Sequence, residues 1–147
     1  MSSSLQSVRY ERGALSVLDQ LLLPHEKQYI AVAGSEDAWS VIRTMQVRGA
    51  PLIAIVAALG LAVEIQNKSA FECAQDCGDF LLERMTYLRT SRPTAVNLFV
   101  ATDELAALVK GMVASPGSSH DSVKTAFIDA AEEIFRKDVE TNKSIGT

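Results

Sequence analysis

The sequence predicts a mainly α-helical domain (α+β) with a small β element at its N-terminus, and three observations predict it. Apolar residues recur at spacings of three and four through most of the chain after Ser35. Short β-like runs bounded by turn residues are confined to the stretch before Gly34. The 147 residues, 48% of them hydrophobic and 22% charged, suit one globular domain with a real core and are too few for two. The expected organisation is a single domain over 1–147, with a β region over 7–33 and a five-helix region over 35–143.

Each element has a local reason. Ser7-Val8-Arg9-Tyr10 precedes an Arg12-Gly13 turn, and Ala14 to Leu18 follows, which reads as a hairpin closed off by Pro24. Tyr29 to Ala33 is a second β-like run. Gly34 then breaks the strand, and Ser35 is expected to cap a helix with Glu36 and Asp37 in its first turn. Ala38, Trp39, Ile42 and Met45 make its apolar face. Pro51 suits the first turn of a second helix running to about Gln66. Phe71, Ala74, Cys77, Leu81, Met85 and Leu88 mark a third. After a break at Thr90-Ser91-Arg92, Pro93 begins a fourth helix through about Met112. The loop Ser115-Pro116-Gly117-Ser118-Ser119 separates it from a fifth, marked by Val123, Phe127, Ala130 and Ile134.

Charge and composition exclude several classes. A net charge of −4 and a pI near 5.2 argue against a nucleic-acid binder, which shows a basic field. The most apolar run, Leu52 to Val63, is far short of the ~20 residues that span a bilayer, so it reads as a core helix and no membrane partner is expected. No secretory signal is visible at Met1-Ser2-Ser3-Ser4. The two cysteines, Cys73 and Cys77, stand one turn apart on a helix, where disulfide geometry is poor. The two histidines, His25 and His120, are remote from them, so neither a zinc site nor any other metal or cofactor is expected. The cysteines read as buried or free thiols, and Trp39, the tyrosines and the methionines as core.

Two junctions carry a possible chemistry. Arg48-Gly49-Ala50-Pro51 and Arg92-Pro93-Thr94-Ala95-Val96-Asn97 each put an arginine just before a proline-started helix. The first turn of a helix leaves backbone N–H groups unpaired, and the macrodipole adds positive potential there, so an anion is favoured. Arginine adds a planar fork for two phosphate oxygens. Gly49 allows a ligand to reach the backbone. The competing reading is a common proline start with a solvated arginine beside it.

The two segments decide in favour of the first reading by resemblance. Val47-Arg48-Gly49-Ala50-Pro51-Leu52-Ile53-Ala54 and Thr90-Ser91-Arg92-Pro93-Thr94-Ala95-Val96-Asn97-Leu98 resemble the corresponding segments of the methylthioribose-1-phosphate isomerases. Val8-Arg9-Tyr10, Leu18-Asp19-Gln20-Leu21-Leu22-Leu23-Pro24 and the closing stretch from Asp138 through Asn142-Lys143-Ser144-Ile145-Gly146 are also similar. The resemblance runs from about Ser7 to Gly146. It implies an isomerase of methionine salvage that interconverts 5-methylthioribose 1-phosphate and 5-methylthioribulose 1-phosphate. It further implies that Arg48, Gly49, Ala50 and Arg92 bind the sugar-phosphate substrate, and that the complete family member is a homodimer of the cytoplasm, with the nucleus as a second compartment.

The family's catalytic cysteine and aspartate belong to a larger Rossmann-like C-terminal domain, and neither motif occurs before Thr147. The chain therefore reads as the N-terminal domain only, with no catalytic residue assigned and no activity expected of it alone. Cys73 and Cys77 match no family catalytic cysteine. Asp103, Asp121, Asp129 and Asp138 read as helix caps or solvated helix faces. Two other functions are weighed. One is a regulatory or interaction module like the related subunits of the translation-initiation guanine-exchange factor, against which the intact Arg-Gly-Ala-Pro and Arg-Pro-Thr-Ala-Val-Asn segments argue. The other is a ribose-1,5-bisphosphate isomerase, which needs a further phosphate site where the methylthio sugar needs an apolar pocket.

Overall fold

A single glycine and an alternating pattern build the β element. In the computed structural model, which describes residues 8–11, 13–18, 28–44, 50–68, 71–92 and 96–145, β1 (Val8–Glu11) and β2 (Ala14–Leu18) pair antiparallel with Glu11 opposite Ala14. Two residues turn the chain. Gly13 has φ +93, the positive value such a tight hairpin loop demands. β3 (Tyr29–Ala31) joins the other edge of β2, giving a three-stranded sheet in the order β1-β2-β3. Ala33, expected to end the third strand, lies beyond it. Val8, Leu15 and Val17 turn inward and are buried. On the other side the Arg9 guanidinium lies 3.8 Å from the Tyr29 ring centroid.

Five helices follow among the described residues: α1 (Ser35–Arg43), α2 (Ala50–Asn67), α3 (Ala74–Arg89), α4 (Val96–Ala114) and α5 (His120–Ile145). Pro51 stands in the first turn of α2, as expected. Pro93 lies outside the described residues.

α2 is the centre of the fold. Every residue from Leu52 to Val63 is buried, so the helix is apolar around its whole circumference. It can be so because α1, α4, α5 and β2 all pack on it, with α3 touching it more lightly. Small residues allow that crowding. A Cβ placed on Gly60 would sit 2.8 Å from the Ala38 Cβ of α1 and 3.3 Å from Val32 Cγ1. Gly60→Ala gains ~1 kcal/mol of helix propensity but must push two rigid neighbours apart, at a cost of roughly 1–3 kcal/mol. Net destabilisation on the order of 1 kcal/mol is expected, read as a lowered urea midpoint with an unchanged m-value.

Several local expectations are corrected. Ser35 does not cap α1 with its own side chain. It is the first helical residue, fully buried, and its N–H and Oγ–H both donate to Glu64 Oε1 of α2, at 2.8 and 2.6 Å. The carboxylate at this helix start thus comes from another helix. Asp37 reaches back instead to accept from the Ala33 N–H at 2.9 Å. α3 repeats the device, with Asp76 accepting from the Glu72 N–H at 3.2 Å.

The buried face of α1 is Ser35, Ala38, Val41 and Ile42; Trp39 is half-buried, and Met45 lies outside the described residues. Phe71 is buried but precedes α3. On α5 the buried stripe is Val123, Phe127, Ile128 and Ala131, while Ala130 and Ile134 are only half-buried. The Tyr10 hydroxyl donates to Glu132 Oε2 at 2.5 Å and its ring meets Phe135 edge-on, joining the sheet to α5. Cys77 is buried and Cys73 exposed, and both are free thiols.

Candidate functional site

The two arginine–proline junctions feed α2 and α4, which pack on one another, and Arg92 is not among the residues that line the groove described next. Between them lies an open groove of about 330 Å³. Ala54 and Ile55 of α2 form one wall, Asn97, Val100, Ala101 and Glu104 of α4 the other, and Ile134 of α5 closes one end. Ala50 is the first residue of α2. Arg48 and Gly49 lie outside the described residues. Arg92 is described: it is half-buried between α3 and α4 and makes no ion pair with any described residue. The helices of both junctions therefore share one groove, while of the two arginines only Arg92 is placed.

The turn that delivers Arg92 is built with care. Thr90 and Ser91 follow α3, whose last carbonyls lack helical partners. The Thr90 Oγ1–H donates to the Tyr87 carbonyl at 2.6 Å, and the Ser91 Oγ–H to the Leu88 carbonyl at 2.6 Å. Their backbone N–H groups bond the same two carbonyls, at 3.1 Å each. These two hydroxyls thus serve the backbone. Nearby, Arg89 pairs with Asp103 at 2.9 Å and lies over the Phe99 ring. Asp103 was expected to be a cap or a solvated carboxylate; it is exposed, and its ion pair with Arg89 stitches α3 to α4. Both partners face water, so this pair adds little stability. Asp121 lies in the first turn of α5, and Asp129 is exposed. The Asp138 side chain and His25 lie outside the described residues.

Sequence reasoning singled out neither Asn97 nor Glu104 as site residues, and it treated Trp39 as core alone. Helical spacing from Arg92 could have placed Asn97 in the first turn of α4. Nothing local marks Glu104 or the long-range partner of Trp39.

The buried cysteine is not a reactive group. Burial pushes the Cys77 thiol up from 9.0 to about 11, with Asp76 and Asp121 adding to the effect and Lys124 opposing it. Because the folded value is the raised one, the stabilisation is fully present below about pH 9 and is lost as the pH climbs through about 11. The loss amounts to roughly 2–3 kcal/mol at 1.36 kcal/mol per pH unit. Cys77→Ala should flatten this alkaline decline relative to the parent in paired denaturation series from pH 8 to 11. A thiol reagent at neutral pH should label Cys73 alone until the chain is unfolded. No group of three His, Cys, Asp or Glu among the described residues could hold a metal, and no helix there is long and apolar enough to cross a membrane.

Comparison with known proteins adds to this geometry. Residues 46–147 match the family model described as the Initiation factor 2 subunit family. A methylthioribose-1-phosphate isomerase of Pyrenophora tritici-repentis is 48% identical over 142 residues, covering 97% of this chain and 36% of its own length. One of Drosophila persimilis is 45% identical over 143 residues, with 97% and 39% covered. Among solved structures, the 5-methylthioribose 1-phosphate isomerase from Pyrococcus horikoshii OT3 superposes with a TM-score of 0.83 at 31% identity, over 93% of this chain and 37% of that one. The delta subunit of translation initiation factor eIF-2B from A. fulgidus does so with 0.76 at 30%, over 92% and 38%. The chain thus spans a little over a third of the length of these relatives.

Proposed function

We propose that this chain, which belongs to the Initiation factor 2 subunit family, is the substrate-cradling N-terminal part of a methylthioribose-1-phosphate isomerase. The observation that carries the reading is the shared groove: the helices of both arginine–proline junctions open onto it, in a chain 45–48% identical to proteins of that name. In this reading the 1-phosphate of 5-methylthioribose 1-phosphate meets Arg48, Gly49, Ala50 and Arg92. Unpaired N–H groups at the helix starts and the guanidinium forks hold its oxygens together. The proton transfers that yield 5-methylthioribulose 1-phosphate need an acid–base pair outside these residues. A homodimer, and a cytoplasmic and nuclear location, belong to the same proposal.

The groove wall bears on the choice of sugar. Ile55, Val100 and Ile134 are apolar and Glu104 is acidic, a lining that suits a methylthio group and repels a second phosphate. Titrating the chain with 5-methylthioribose 1-phosphate and with ribose 1,5-bisphosphate, followed by amide NMR, tests this. Shifts at the starts of α2 and α4, larger for the methylthio sugar at equal concentration, are the expected result. Equal or tighter binding of the bisphosphate would overturn the assignment. The likeness to the eIF-2B delta subunit supports a second reading, a regulatory subunit. That reading expects no response to either sugar.

A further inference from the structure

Trp39 is the sole tryptophan of the chain and sits on α1, away from the groove wall, yet its polar atom is committed. Its Nε1–H donates to Thr90 Oγ1 at 2.8 Å, across 51 residues of sequence. The same Thr90 hydroxyl donates onward to the Tyr87 carbonyl at 2.6 Å. The indole also stacks on the Tyr87 ring, with centroids 5.7 Å apart and planes 19° from parallel. The Arg84 guanidinium lies 4.6 Å from the centroid of that same ring. Ring stacking alone would hold α1 against α3. The added hydrogen bond does something different: it ends on the hydroxyl that closes the last turn of α3, two residues before Arg92.

We infer that Trp39 is a positioning residue, which fixes the direction of Arg92 through the Thr90 hydroxyl. The physical reason lies in the order of the chain. Thr90 ends α3 and Ser91 is fully buried, so the backbone entering Arg92 is clamped from both sides. An indole N–H has one proton and one direction, and Thr90 Oγ, accepting it, must point its own proton at the Tyr87 carbonyl. This sets the Thr90 rotamer and with it the turn. Arg92 has no ion pair among the described residues to orient it otherwise. A guanidinium held by its backbone and not by a carboxylate keeps its fork free for an anion. The inference rests on the reading of Arg92 as a phosphate ligand only for its functional half.

The test uses the full 147-residue chain with ¹⁵N-arginine, and Trp39→Phe, Thr90→Val, Thr90→Ser and Arg92→Ala variants. Trp39→Phe keeps a smaller aromatic ring against Tyr87 and removes the donor, while Thr90→Val removes the acceptor and leaves the indole in place. Without ligand, the Arg92 Nε–H order parameter should fall in Trp39→Phe and Thr90→Val, and stay near the parent value in Thr90→Ser. In titrations with 5-methylthioribose 1-phosphate and with inorganic phosphate, the first two variants should bind about 3- to 10-fold more weakly, and Thr90→Ser like the parent. Adding Trp39→Phe to Arg92→Ala should weaken binding no further. Thermal midpoints are measured alongside. Unchanged Arg92 order and unchanged affinity in both Trp39→Phe and Thr90→Val, with a lowered midpoint, would overturn the positioning role and leave a purely structural contact. If Arg92 loses order in these variants while Arg92→Ala binds both ligands like the parent, the positioning stands and the phosphate reading of Arg92 fails instead.

Discussion

Replacing Arg92 by Ala, in an intact relative that carries the same Arg-Pro-Thr-Ala-Val-Asn segment, is expected to weaken sugar-phosphate binding by roughly 10- to 150-fold. This corresponds to ~1.5–3 kcal/mol, the worth of a hydrogen bond to a charged group. The same loss is expected for Arg48→Ala. Arg→Lys at either position should recover part of it, because lysine keeps the charge and loses the planar fork. The bland alternative is that each arginine only steadies a helix end, and it makes an opposite forecast. Stability would then fall while binding held. Isothermal titration for affinity and chemical denaturation for stability, run on the same variants, separate the two. Full affinity in both Ala variants would remove the site.

The second large effect is an absence of turnover. The purified 147-residue chain should convert no measurable 5-methylthioribose 1-phosphate, where an intact relative converts it readily. A positioned acid or base is typically worth 10²–10⁴-fold, and isomerisation needs both. Among the described residues that line the groove, Glu104 is the one ionisable side chain, so no acid–base pair stands there. Cys77 is buried with its thiol pushed up to about 11, so at neutral pH it is no base. Asp103 is taken by Arg89, and Asp121 and Asp129 stand on solvated faces of α5. Turnover approaching that of an intact relative, with contaminating enzyme excluded, would mean that the chemistry was assigned to the wrong part of the protein.

How far the fold was legible depended on whether the cause was local. Arg12-Gly13 announced a hairpin because a two-residue loop needs positive φ, and Gly13 has it. Pro51 announced α2, and the spacing of Ala74, Cys77, Leu81, Met85 and Leu88 announced α3. Ser35 misled because the residue type that caps helices can also be a buried donor, and its acceptor, Glu64, lies on another helix. Ala130 and Ile134 lie on α5 as their spacing indicates and pack against the core half-buried, since periodicity finds an apolar stripe but not its centre. The centre is set by where α2, α3 and α4 press on α5, and it falls on Ile128 and Ala131. The arginines of the candidate site stood out through their helix starts. The indole of Trp39 behind one of them did not, because its partner is 51 residues away.

The groove has two walls of unequal freedom. Ala54 and Ile55 line it, yet they are 6% and 1% exposed and belong equally to the core around α2. Val100 lines it from α4 at 50% exposure, and Val96 stands near it in sequence at 70%. A substitution on the α2 wall changes ligand contact and packing at once, so any gain in specificity comes with lost stability. On the α4 wall the two are nearly separate. The outer face of α4 is therefore the part of the groove that can be reshaped at least cost to the fold, while α2 is held still by its own neighbours.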